Sequence, residues 1–200
     1  MSVQLWLQAK EGQEVSPDRG LHPVANRRQV NPTIKEVIQM VTGVFIPHDE
    51  DRPLEIREFE GLKAYQASVQ GNIEAIDILT MNASFYCNEE AKIFNLPINR
   101  RATLMWWMDS PQMRHRDTIN GNAIIIGLPD EEGDTQDAPK ELMQLLFEAG
   151  AYRAMYETAD SPDSWNGNSV RYTDYFIAAG HALIKFDEWY AVTRCKIIAA

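Results

Sequence analysis

The residues of this chain whose types and spacing could do chemistry beyond folding are two short runs of cations. Arg100 and Arg101 follow Asn99 in the stretch LPINRRAT, and Arg114, His115 and Arg116 form a second positive island. Two adjacent guanidiniums beside a turn can pair with internal acids such as Glu89, Glu90 or Asp117. They can equally grip a phosphate or carboxylate through bidentate bonds. Trp106 and Trp107, if extended, point to opposite sides, so one serves the core and the other is free to stack on a ring or face a partner. The candidate ligand- or partner-binding set is therefore Asn99, Arg100, Arg101, Trp107, Arg114, His115 and Arg116, with Glu89 as the nearby acid.

Acid–base chemistry has a thinner basis. Asp117, His115 and Glu89 could serve an enzyme acting on a nucleotide or modified base, and the pair Asp187–Glu188 beside Trp189 and Tyr190 could do so if the fold builds a pocket there. None of the phosphate loops, dinucleotide fingerprints, nucleophile elbows or zinc-protease helices is present. The four histidines, His22, His48, His115 and His181, lack metal-ligand spacing. No residue is nominated as catalytic, and no metal or cofactor is expected.

The elements that must position these side chains are legible in part. Val3, Leu5 and Leu7 alternate with polar or aromatic neighbours as in a strand, and Glu11 to Pro32 then carries no apolar period. This arm, residues 1–33, packs across the body or across a neighbouring subunit, the latter making the chain a homo-oligomer. The run EVIQMVTGVFI predicts a strand or a bent strand pair about Gly43, and Leu54 and Ile56 a second strand. Phe59, Leu62, Tyr65 and Val69 recur at helical spacing, with Gly71 where a C-terminal cap belongs. NIEAIDIL and ASFYCN read as two strands joined by a turn. ATLMWWM is too short for periodicity to choose between helix and strand, whereas AIIIG is a buried strand. Residues 129–139 carry five acids with glycine and proline, a solvated linker by composition. Beyond it a helix from Lys140, and an aromatic tail ending in a strand over Trp189 to Ile198, form an extension over residues 140–200 that packs on the module at 34–128. The fold class is α+β: a small, mainly antiparallel sheet with one or two packed helices and a C-terminal helix-and-strand extension.

Two hundred residues, 44% hydrophobic, suffice for one domain with an appended subdomain. The formal charge of −10 opposes phosphate backbones, so direct nucleic-acid binding is not expected, and a partner with a basic surface is favoured. Cys87 and Cys195 are the only cysteines and lie far apart, which suits a reducing cytoplasm. No apolar run reaches membrane-spanning length.

Three stretches occur together and in order: NEEAK from Asn88, LPINRRAT from Leu96, and DTINGNAIIIG from Asp117. With the preceding VQGNIE they resemble a domain-of-unknown-function family, number 3846, found in phages, plasmids and their hosts. The resemblance covers about residues 34–127. It implies a mobile-element gene and an α+β fold, and carries no biochemical activity with it.

The expectation that follows is a non-enzymatic phage or mobile-element accessory protein in the host cytoplasm. It would bind and neutralise a host component, either a defence protein or its nucleotide signal. A small enzyme on a nucleotide or modified base, or a structural oligomerisation module, is the alternative.

Overall fold

The structure is a computed structural model and describes residues 40–200. The N-terminal strand and arm read from the sequence lie outside the described residues. Five strands, β1 (Met40–Ile46), β2 (Glu55–Glu60), β3 (Ile73–Ile78), β4 (Ala83–Asn88) and β5 (Ala123–Gly127), form one sheet in the order β2-β1-β5-β4-β3. Every neighbouring pair is antiparallel. The central strand β5 is apolar at every position because both faces are covered: Ile124 and Ile126 join one buried cluster, Ala123 and Ile125 the other. β1 is one continuous strand. Gly43 is required there because a Cβ would meet the Ile125 carbonyl oxygen at 2.8 Å and the Phe59 ring at 3.0 Å.

The first face is covered by α1 (Gly61–Val69), which buries Tyr65 and Val69 one turn apart. Phe59, read from the sequence as helical, belongs to β2 and stacks on Tyr65 at a centroid distance of 5.2 Å. The left-handed residue closing the helix is Gln70, φ 63°, rather than Gly71. Gly71 follows it and donates its N–H to the Gln66 carbonyl.

The second face carries α2 (Arg100–Asp109), so ATLMWWM is helical, with Met105 and Trp106 buried and Trp107 half-buried. Against α2 lies α4 (Tyr175–Glu188), whose Ala178, Ala179 and Ala182 permit close approach. The far side of α4 packs on an antiparallel sheet of order β7-β6-β8, built from β6 (Tyr152–Thr158), β7 (Ser161–Gly167) and β8 (Val192–Ala199). One hydrophobic cluster runs through Ile125, Met105, Ala178, Tyr152 and Ile197, joining both sheets. The fold is α+β with a C-terminal helix-and-strand region.

The acidic segment 128–139 is pinned rather than free. Gly127 donates to the Gln136 carbonyl at 2.9 Å, and Ala138 donates to Thr42 at 2.8 Å. The Asp137 carboxylate accepts from the Thr42 N–H at 2.6 Å. Its acids face solvent, whereas Ala138 is buried. The short α3 (Lys140–Phe147) follows, anchored by Leu142. No helix among the described residues is long and apolar enough to cross a membrane.

Candidate functional site

Most polar side chains in the recognisable motifs are spent on holding loops. Asn88 donates to the carbonyls of Val69 and Gln70 and accepts from the Glu90 N–H. Asn99, wholly buried, caps α2 by accepting from the Ala102 N–H, and its amide donates to Ile46 and Gly121 at 3.0 Å each. Asn120 donates to Leu96, and Asn122 reaches Ser68 while accepting from His48. Glu89 is exposed at the end of β4 and accepts from the Asn72 amide at 3.0 Å.

The two adjacent arginines have separate fates. Successive helical residues point about 100° apart, so Arg101 turns inward, only 7% exposed, while Arg100 stays in solvent. The Arg101 guanidinium donates to the carbonyls of Arg52, Pro47 and Asp49 at 2.7–2.9 Å. It thereby clamps the turn joining β1 to β2. Burial pulls its pKa below the usual guanidinium range, against the field of Glu50, Asp174 and Asp49. Arg100 has only a loose ion pair with Glu50 at 3.6 Å.

Above this clamp opens a groove of about 750 Å³, between the β1–β2 turn, the first turns of α2 and the outer face of α4. Its apolar surface comes from Leu54, Leu104, Phe176, Ile177 and Ile184. Ile177 and Ile184, two turns apart on α4, are 54% and 56% exposed. Glu50, Asp51, Arg100 and Asp174 supply charge of both signs around it. Neither the turn nor α4 was nominated from the sequence. The exposed isoleucines at a seven-residue interval are the one signal that could have found them.

The second cationic run is divided as well. Arg114 is buried, stacks over Phe186 at 4.7 Å, and donates to the Leu183 carbonyl at 2.7 Å and to Asp187. It ties the loop after α2 to α4. His115 and Arg116 are exposed, His115 with Nε2 at 3.2 Å from Asp187 and its ring 5.2 Å from Trp107. The Trp107 indole donates to the Asp117 carbonyl at 2.8 Å. Trp107, Arg114 and His115 thus form one cluster, apart from the Arg100–Arg101 groove.

The acid–base trio is not assembled into a dyad or triad. Asp117 pairs with Lys92 and accepts from the Thr118 N–H, His115 faces Asp187, and Glu89 faces Asn72. No hydrogen bond joins any two of the three among the described residues. No group of three or more His, Cys, Asp or Glu that could hold a metal occurs there either.

Comparison with curated proteins and with solved structures gives no match. A family model does match, over residues 41–151, and so takes in the acidic segment and α3 beyond the end of the motifs. With more than half its length matched, the chain belongs to the DUF3846 family, a domain of unknown function.

Proposed function

We propose that the protein is a non-enzymatic accessory protein of a phage or other mobile element that binds and neutralises a host protein, one of the defence machinery, in the groove along α4. The observation that carries this reading is the pair of exposed isoleucines, Ile177 and Ile184, facing a groove with Arg100 and several acids around it. Isolated exposed apolar residues need no explanation, but two aligned on one helix beside a concave, charge-bordered surface match the way partner segments are anchored. The net charge of −10 favours a basic partner and raises its on-rate.

The reading in which both arginines hold a nucleotide signal has weaker support. Three carbonyls already occupy the Arg101 guanidinium, which leaves Arg100 as the one open cation of that pair.

Capture from host lysate tests the proposal. The wild-type chain retains a host protein, and Ile177→Asp with Ile184→Asp releases it while the melting temperature stays close to wild type. Retention unchanged by that double variant would remove the groove from the mechanism. Electrostatic mimicry of nucleic acid adds a steep loss of retention with rising salt, and salt-insensitive binding argues for the apolar anchor instead.

A further inference from the structure

A second cavity, of about 590 Å³, adjoins the groove along α4, sharing His181 and Ile184 with it, and lies between that helix and the β6–β7 hairpin. We propose that it binds a flat, uncharged heteroaromatic ring of nucleoside size. The inference does not rest on the host-protein reading attached to the groove.

Aromatic rings form much of its wall. Tyr172 is fixed by a reciprocal pair of backbone bonds with Tyr152, and its ring stacks on His181 at 5.2 Å with an interplanar angle of 28°. Tyr156 contributes a half-buried phenol from β6, and Trp189, 42% exposed, closes the C-terminal end of α4. Both neighbours of β6 lose register at Tyr156–Thr158, and such a bulge re-aims side chains at the end of a sheet. Planar rings stack favourably on such surfaces.

The polar groups around these rings are uncommitted. Among the described residues, the hydroxyls of Tyr156, Thr158 and Tyr172, the Asn166 amide oxygen and the Glu188 carboxylate have no hydrogen-bond or ion-pair partner. The Lys185 ammonium has only the Trp189 ring, 5.8 Å away. Convergent polar groups over an aromatic surface, in a cavity within the usual ligand-site range, are the marks of a small-molecule site. Burial pushes the Tyr156 phenol up to about 12, so it remains a donor at any physiological pH.

The composition of the wall narrows the ligand. Hydroxyl and amide groups that donate and accept in the neutral state suit the edge of a base. Lys185 and Glu188 offset each other, so no cationic cradle exists for a polyphosphate. The faces of Tyr172 and Trp189 suit a planar ring, which hydrogen-bonds only along its edge and so leaves polar groups of the wall for the hydroxyls of an attached ribose.

The test is titration of the full chain with adenosine, guanosine, cytidine and uridine by calorimetry and ligand-observed NMR, with ATP and glucose as contrasting probes. At least one nucleoside binds, more tightly than ATP and to the exclusion of glucose. Trp189→Ala, at an exposed position, weakens it roughly tenfold or more, and Tyr156→Phe weakens it without touching the stack. Arg100→Ala leaves the affinity unchanged, because Arg100 lies in the other cavity. The proposal is overturned if no nucleoside binds, if glucose or ATP binds better, or if Trp189→Ala and Tyr156→Phe both bind as wild type. A wild-type chain that binds a nucleoside but captures no host protein would sink only the earlier proposal.

Discussion

The Asn88 carboxamide occupies the space in which a side chain on residue 71 would begin. A Cβ on Gly71 would sit 2.4 Å from Asn88 Nδ2, the atom that donates to the carbonyls of Val69 and Gln70. Glycine is demanded here by a neighbour rather than by its own backbone angles. Gly71→Ala is expected to destabilise the fold by about 1–3 kcal/mol, by displacing a buried amide from its partners. In a double-mutant cycle by urea unfolding, the penalty shrinks in an Asn88→Ala background. Additive losses would contradict the coupling.

Asn99 joins three segments through one buried amide. Asn99→Ala removes a helix cap and leaves the Ile46 and Gly121 carbonyls without their donor, for a loss of about 2–4 kcal/mol. Asn99→Asp keeps the cap acceptor but cannot donate to either carbonyl, so denaturant melts should place it below wild type too. An unfolding midpoint equal to wild type in the Asp variant would show that the donated bonds are immaterial.

Neighbouring arginines predict opposite phenotypes. Arg101→Ala frees the turn between β1 and β2, and hydrogen exchange at Asp51 and Arg52 accelerates with a stability loss of about 1–3 kcal/mol. Arg101→Lys recovers little of this, because one ammonium cannot reproduce the guanidinium fork. Arg100→Ala leaves the unfolding free energy within about 0.5 kcal/mol of wild type. Its effect should appear instead in host-protein retention.

Both thiols should be inert in the folded chain. Burial pushes Cys87 up to about 12 and Cys195 up to about 11, and the thiolate is the reactive form. At pH 8, iodoacetamide should label neither in the native protein and both in denaturant, as read by intact mass. The raised values favour the protonated form in the folded state. Stability is therefore unaffected below the ordinary thiol value of 9.0 and falls as pH rises beyond it.

Burial opposes ionisation of Asp117, yet the Lys92 ammonium and the Thr118 N–H outweigh it and hold the carboxyl below its ordinary 3.8. A depressed carboxylate adds stability above that ordinary value and loses it as pH falls through the folded one. Lys92→Met should then lower stability near pH 6 by under about 1 kcal/mol, the pair being solvent-screened. The difference from wild type should vanish in strong acid. A deficit that persists there would point to lost packing of the lysine stem instead.

The strands of the first sheet were legible because their environments differ in ways a single segment can encode. AIIIG is buried on both faces and reads as an unbroken apolar run, and NIEAIDIL alternates because one face is wet. ATLMWWM could not be resolved, since its helical identity depends on the Asn99 cap and on burial against a sheet and a second helix. The helix YFIAAGHALIKFDE went unassigned: packed between α2 and the second sheet, it has no single apolar stripe and includes Gly180. The hairpin of β6 and β7 hides behind polar residues, since SPDSWNG is almost wholly exposed. The groove was unreadable for another reason. Its walls come from residues 50–54, 100–104 and 174–184, and only folding brings them together. That Arg101 faces in and Arg100 out was equally hidden, because the two differ only in where α2 sits against the β1–β2 turn.

Helix α4 is a party wall: His181 and Ile184 line both the groove and the smaller cavity. An occupant that turns either side chain toward one space reshapes the other. Thermodynamic reciprocity then requires that each occupant change the other's affinity by the same factor. A small ring held beside these two side chains would thereby set how tightly a protein is held in the groove.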